Sequence, residues 1–455
     1  MSFSRRTFLI GAGSGLSLLA LAACTDAPPV PTFSPTLAPP SPVPKPRSIV
    51  RSAWSTDPFA RGAASFPAVG STPQHRADLS ESLLDRLFFA GEATSDAPGT
   101  VRGARTSGAR AANEVAKVAE QGERIIIVGA GAAGAEAARL LSILGHRVGV
   151  IEARDRTGGR IDTLTSEDGE SAELGAWRLA PEADADVLTA LARLDVTTAE
   201  LGTLVASSAN REVVEVDPAP SIAAGISAVD AATAWATQQP ADTSLEDSLA
   251  GAGVASSALL DDYLAGLATT TGADAAVLSS WFSPAPAEPE SLLVTGGFSI
   301  LVDAALDGID TSLNTAVVSI AWDEDSVSLR LGTGESMKAD RVILTVPLGV
   351  LKAGSIEFDP LLPFTHRTAI SALGMGNIET VRLSFDEAFW STEATYWTVT
   401  GMDAVISTWI NLQPITGEPV LVGLVGGEAA AALVDLSDDE LIALAQTSLE
   451  PFAES

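Results

Sequence analysis

The stretch Arg124–Arg160, RIIIVGAGAAGAEAARLLSILGHRVGVIEARDRTGGR, constrains this chain more than any other. Arg124–Val128 is a short β-branched run suited to a buried parallel strand. Gly129, Gly131 and Gly134 come next, as G-x-G-x-x-G. In that spacing the first glycine permits a tight turn and the second lets the backbone approach a pyrophosphate. The third lets helix and strand pack closely. A helix from about Ala132 to Leu144, with Ala133 in its first turn, points N–H groups and a positive dipole end at the phosphates. A second strand, Arg147–Ile151, ends in Glu152, placed to accept hydrogen bonds from an adenosine ribose. A glycine motif alone is weak, but here strand, helix, second strand and acid all fall in place. The segment predicts a dinucleotide-binding βαβ unit.

The residues after this acid narrow the choice of dinucleotide. Glu152–Arg160, EARDRTGGR, resembles the extended fingerprint of the flavin-containing amine oxidase family, which includes monoamine, polyamine and L-amino-acid oxidases. Further pieces match in order: AELGAW (Ala172–Trp177), TGGFSILVDAAL (Thr295–Leu306), SLNTAVVSI (Ser312–Ile320), ADRVILTVPLGVLK (Ala339–Lys352), FDEAFW (Phe385–Trp390) and PVLVGLVGGEAA (Pro419–Ala430). The resemblance covers roughly residues 48–455. It implies an α/β fold in which a Rossmann-like FAD-binding domain is joined to a second, α+β substrate domain. It implies FAD as cofactor, with Arg154, Gly159 and Arg160 beside the pyrophosphate and flavin, Ala176 and Trp177 at the cofactor, and a backbone group near Val317 at the adenine.

A second block stands upstream of the βαβ unit: LFFAGEATSDAPGTVRGARTSGARAA, Leu87–Ala112. In the resembled family such a block closes the protein. From it the resemblance implies Gly91 and Glu92 near the ribityl chain and pyrophosphate, and the backbone of Thr100 and Val101 at the flavin ring. Every block occurs once, so the order reads as a circular permutation, with a truncated tandem array as the competing explanation. The helix over Gly99–Ala119 and the short link Glu120–Glu123 would form the bridge, which requires the original termini to lie close together.

The resemblance also implies the chemistry, most of which is the cofactor's. An amine or amino acid loses hydride from its α-carbon to flavin N5, the imine is hydrolysed, and oxygen takes the electrons. Three departures bear on it. Where many members have Gly-x-Gly-x-x-x-Lys-Val, this chain has Gly374–Val381 with Thr380 in place of lysine, and its four lysines lie elsewhere. A threonine hydroxyl holds a water but carries no charge, so another electron acceptor is an alternative to oxygen. Where some members carry Cys-Tyr, this chain has Ala63-Ala64, so the flavin is expected to be noncovalent and one cage wall is missing. The second cage position is Thr100, also not aromatic. Trp54 and Trp409 are the expected substrate contacts in their place, with Trp177 and Trp397 as further candidates. Beside amine oxidation stand a flavin dehydrogenase or desaturase with another acceptor, and a non-catalytic FAD-binding protein.

Composition excludes some partners. A formal net charge of −31 disfavours nucleic acid and anionic headgroups as direct ligands. His75, His146 and His366 are scattered without ligand spacing, so no metal site is expected. At the start of the chain, Ser4-Arg5-Arg6-Thr7-Phe8-Leu9 precedes the apolar run Phe8–Ala23, which reads as a twin-arginine export signal. It ends Leu21-Ala22-Ala23-Cys24, resembling a lipobox, so residues 1–24 are expected to direct export and lipid attachment at Cys24. The expected location is the outer face of the bacterial cytoplasmic membrane. A Pro-rich linker occupies 25–47. The FAD domain is expected over 48–181 plus 295–350, with the strand Val420–Val425 as a further piece. The substrate domain is expected over 182–294 plus 351–455, with helices at Ala183–Leu194, Leu245–Leu249 and Ala258–Thr269.

Overall fold

The structure, a computed structural model, describes residues 41–165, 171–202, 204–207, 213–283, 291–399 and 404–453. The expected export signal, Cys24 and most of the Pro-rich linker lie outside the described residues.

The β-branched run Arg124–Val128 is the middle strand of a five-stranded sheet. The strands, in spatial order, are Asp310–Ser312, Arg147–Ile151, Arg124–Val128, Arg341–Leu344 and Leu87–Phe89, every pair parallel. A parallel strand covered on both faces needs apolar residues at every position. The covering is visible in its alternation. Ile125 and Ile127 pack among the helices Val101–Val118 and Ala132–Ile143. Ile126 and Val128 pack on the opposite face, against a four-stranded sheet that includes Val317–Trp322 and Val327–Leu331. The two helices cross closely because Gly108 has no side chain: a Cβ there would lie 2.1 Å from the carbonyl oxygen of Ala133. So the upstream block and the βαβ unit, separated in reading order, share one sheet and one helix layer.

The second half is built on a seven-stranded sheet ordered Ser48–Arg51, Ile378–Ser384, Val420–Gly426, Thr408–Asn411, Tyr396–Val399, Leu204–Ser207 and Val213–Glu215. Helices Ala219–Ala236, Leu245–Gly251 and Ala258–Thr271 form a further layer with its own core. The helix Asp438–Leu449 covers Trp409 and Leu421.

The domain limits move in four places. Ser48–Arg51 pairs with Ile378–Ser384, so the chain enters through the substrate sheet before it reaches the flavin half. Val420–Gly426 lies inside that same sheet rather than with the flavin sheet. Glu357–Asp359 pairs with Val317–Trp322, carrying the flavin half past residue 350. The last part of the expected linker belongs to the globule: Val43 is buried, its carbonyl accepts from Gln446 Nε2 at 2.9 Å, and Lys45 pairs with Asp439 at 2.8 Å. Strands of three or four residues carry too little periodicity to name their partners, and long-range pairing decides them.

Candidate functional site

The two halves enclose a cavity of about 1240 Å³. That exceeds the volume of an ordinary small-molecule pocket and leaves room for a dinucleotide and a second ligand.

The glycine turn forms one wall. Gly129 sits at φ 109°, and Gly131 is the N-cap of Ala132–Ile143 and lies opposite Gly158, with which it forms a bridge. A Cβ on Gly131 would meet nothing closer than 3.7 Å, so the space before this helix N-terminus is open. Gly134 does not line the cavity; a Cβ there would lie 1.9 Å from the oxygen of Gly129, and it serves helix–strand packing. Ala133, Gly159 and Arg160 line the cavity beside Gly131. Glu152 is buried and also lines it. Its two oxygens accept from the N–H of Ala130 at 2.8 Å and of Arg154 at 2.9 Å, and lone pairs remain on each. Arg154 pairs with Asp57 at 2.8 Å, and Val317 lines the same end.

The upstream block forms the facing wall, where Gly91, Glu92, Thr100 and Val101 all reach the cavity. Glu92 is 4% exposed. One oxygen pairs with Arg160 at 2.9 Å, and the other accepts from Ser65 Oγ at 2.6 Å and Gly99 N at 2.8 Å. Burial pushes the Glu92 carboxyl up, but Arg160, the Ser65 hydroxyl, the Gly99 N–H and Arg76 together outweigh it and hold the group below its ordinary range. Thr100 caps the helix Val101–Val118 by accepting from Gly103 N at 2.9 Å, which satisfies one of its first-turn N–H groups. The Glu92–Arg160 pair joins the two sequence blocks directly.

The same cavity is also lined by Trp177, Arg178, Thr270, Ile378, Thr380 and Tyr396. Ala176 lines the cavity as well, and Trp54 does so with its indole N–H donated to Leu174 O at 3.1 Å. Trp409 does not. It is fully buried in the core under Asp438–Leu449 and donates to Ser448 Oγ at 2.8 Å. Its strand is interior to the sheet, and the face that carries it turns to the C-terminal helix, so the expectation of a substrate contact is corrected. Trp397 is core in the same way.

Two lining residues escaped the sequence reading. The Arg178 guanidinium has no hydrogen bond or ion pair among the described residues; it lies 5.6 Å from the Trp177 ring centroid. Tyr396 stands nearby, its phenol pushed up by burial against the opposing influence of Arg178 and a hydrogen bond with Thr408. The signal available in sequence was an arginine directly after AELGAW, in a strand too short to show which way it points.

Comparison with known proteins agrees with this geometry. Residues 33–116, 132–216 and 247–454 match the family described as flavin containing amine oxidoreductase. The chain belongs to this family. Among curated members, polyamine oxidase 4 of Oryza sativa subsp. japonica is 35% identical over 158 residues, 35% of this chain. The chain spans about a third (32%) of the length of that relative. Probable polyamine oxidase 4 of Arabidopsis thaliana is 28% identical over 347 residues, 69% of this chain and 68% of that protein. The fold is that of cyclohexylamine oxidase from Brevibacterium oxydans IH-35A, with TM-score 0.59 and 20% identity over 73% of this chain and 81% of that one. Putrescine oxidase bound to putrescine gives 0.57 and 22% over the same shares.

The residues present fit the flavin dinucleotide that the family name carries. The open space before Gly131, the helix N-terminus behind it and the unfilled lone pairs of Glu152 suit a pyrophosphate and a ribose. Ala63 and Ala64 line the cavity and offer no nucleophile for a covalent link.

Proposed function

We propose that this amine oxidoreductase holds FAD noncovalently and oxidises an amine that bears a carboxylate, an amino acid. Gly129, Gly131, Gly159 and Arg160 would hold the pyrophosphate, Glu152 and Val317 the adenosine, and Glu92 with the Thr100–Val101 backbone the flavin end. Bound FAD supplies the hydride acceptor for the amine carbon. The chain's own residues bind and orient the substrate and exclude water from the cavity.

Arg178 carries the choice of substrate class. It is a cation on the cavity wall with no ion pair among the described residues; Tyr396 and Asp184 act on it electrostatically against the cost of its burial. Of the carboxylates that line the cavity, Glu92, Asp184 and Glu152 are paired with Arg160, Arg102 and Arg154, while Asp96 is exposed and has no ion pair among the described residues. A guanidinium matches a carboxylate bidentately. An anaerobic panel of amino acids, diamines and monoamines, scored by flavin bleaching, tests this. Arg178→Met should raise KM for an amino acid by about 10–100-fold, the loss of one charge-assisted hydrogen bond, and leave the corresponding decarboxylated amine unaffected. Faster bleaching by putrescine than by any amino acid would overturn the proposal.

Oxygen is the proposed electron acceptor. Thr380, uncharged where the family has lysine, favours as a second reading a dehydrogenase that passes electrons elsewhere. Peroxide release at the rate of substrate oxidation would exclude that reading, and dye reduction without oxygen uptake would exclude the first.

The segment order is read as a circular permutation. Support comes from Val43 and Lys45 lying on the C-terminal helix, and from Leu87–Phe89 pairing in the flavin sheet. A chain rebuilt to start at Arg124 and to join residue 453 to residue 41 should fold and take up FAD; an insoluble product would count against it. The leader is read as a twin-arginine lipoprotein signal, with Cys24 anchoring the protein outside the membrane. Cys24→Ser should release the protein from the membrane fraction, and unchanged fractionation would remove that reading.

A further inference from the structure

Glu379 is a buried carboxylate to which the flavin and substrate walls assign no role. On the strand Ile378–Ser384 the side chains alternate: Ile378 and Thr380 line the cavity, while Glu379, 2% exposed, points to the other face. There Oε2 accepts from Ser52 Oγ at 2.5 Å and Trp54 N at 3.1 Å, and Oε1 accepts from Ser55 N at 3.0 Å and Ser55 Oγ at 3.2 Å. Four neutral donors converge on one anion, and no cation pairs with it among the described residues. Burying a carboxylate this way costs more than burying an apolar side chain of the same size, so stability alone does not explain it.

The donors belong to a strap, Ser52–Gly62, whose Trp54, Pro58, Phe59 and Arg61 line the cavity. At its root, Ser52 Oγ accepts from Thr380 N at 2.8 Å while Ser52 N donates to Thr380 O at 3.0 Å. Next comes Trp54, which lines the cavity and rests on the Leu174–Gly175 segment: its indole donates to Leu174 O, and a Cβ on Gly175 would lie 3.1 Å from its ring. Further along, Asp57 reaches Arg154 at 2.8 Å, next to Glu152. The strap closes where Gly62 N donates to Trp54 O at 2.8 Å.

The geometry points to Glu379 as a positioning residue that fixes this strap and thereby sets the substrate wall and the cofactor wall relative to each other. Its carboxylate holds Ser52 on Thr380 from one side and the Trp54–Ser55 backbone from the other. Moving it lets Trp54 lift from Leu174 and lets Asp57 retreat from Arg154. This rests on the FAD-dependent reading of the site, but its test has readouts that do not.

Glu379→Gln keeps the size and loses the anion, because the amide NH₂ faces donors that it does not satisfy. In the cofactor-free protein, hydrogen exchange at residues 52–62 should accelerate at least tenfold while far-UV circular dichroism stays unchanged. FAD affinity should fall about tenfold through loss of the Asp57–Arg154 constraint, and the limiting rate of flavin bleaching by substrate should fall about 10–100-fold with a smaller change in KM. Ser55→Ala, which removes one hydroxyl donor, should move the same readouts in the same direction by less, and it serves if Glu379→Gln does not fold. A Glu379→Gln or Ser55→Ala protein with a lowered melting temperature but wild-type exchange at 52–62 and wild-type FAD affinity would assign Glu379 to the core alone and overturn the inference. If no amine bleaches the flavin, the proposed function fails, yet exchange and FAD affinity still decide the role of Glu379.

Discussion

Replacing Gly131 by alanine separates what the glycine turn does for the fold from what it does for the cofactor. Gly131 has φ −81° and ψ −177°, an extended backbone that alanine adopts freely. An added Cβ meets Gly158 O at 3.7 Å and Gly159 Cα at 3.9 Å, ordinary contacts, so the cofactor-free protein should lose no more than about 1 kcal/mol, the usual cost of alanine at an N-cap. The methyl nevertheless occupies the space where a pyrophosphate would meet the helix N-terminus. Losing one charge-assisted hydrogen bond there costs about 1.5–3 kcal/mol, or about 10–100-fold in FAD affinity. Gly134→Ala is the control with the opposite signature. Its Cβ would stand 1.9 Å from Gly129 O, so two backbone segments must separate, at a cost of about 1–3 kcal/mol or more. Two measurements on each variant suffice: FAD titration by quenching of flavin fluorescence, and thermal unfolding of the cofactor-free protein. Gly131→Ala should lose affinity at nearly unchanged melting temperature, and Gly134→Ala should lose melting temperature first. The reasoning is refuted if Gly131→Ala binds FAD as the parent does, or if its cofactor-free form melts as low as Gly134→Ala.

Burial sets two other outcomes. It pushes the Glu173 carboxyl up to about 7, against hydrogen bonds from Phe298 N and Thr163 Oγ1. The folded protein therefore keeps a proton that the unfolded chain releases near 4.5, and the resulting stabilisation is full below that pH and is lost as pH rises towards 7. Glu173→Gln should flatten melting temperature against pH across that window and melt above the parent at pH 8; identical profiles would show that the carboxyl ionises normally. Trp409→Ala should cost about 3–5 kcal/mol, as truncation of a buried indole does, and leave KM unchanged in the folded fraction. A selective rise in KM at unchanged melting temperature would return Trp409 to the substrate site.

The dinucleotide half was legible because its signals are local. The strand Arg124–Val128 has the predicted limits, and the helix Ala132–Ile143 ends one residue short of the expected Leu144. The helix Val101–Val118 lies just inside Gly99–Ala119. Turn, dipole and apolar run are read within about thirty residues, and each supports the same assignment. The second half was less so. Ala219–Ala236 is so uniformly apolar that its helical period hardly shows.

Trp54 and Trp409 mark the boundary between the two kinds of knowledge. Trp54 sits in a turn after Ser48–Arg51 and Trp409 in the strand Thr408–Asn411, and nothing in their neighbours along the chain says which one meets a ligand. The Trp54 loop is held over the cavity by Glu379, whereas Trp409 is turned to the C-terminal helix by the order of seven strands. The amino-acid sequence by itself determined a nucleotide-binding βαβ unit and the residues able to meet a pyrophosphate, because those depend on spacing along the chain. Only the tertiary structure decided that Glu92 pairs with Arg160, that Arg178 faces the cavity with no ion pair among the described residues, and that Ser48–Arg51 leaves the flavin half. Those facts depend on which distant segments become neighbours, and long-range pairing is settled by the burial of the whole molecule rather than by any stretch of it.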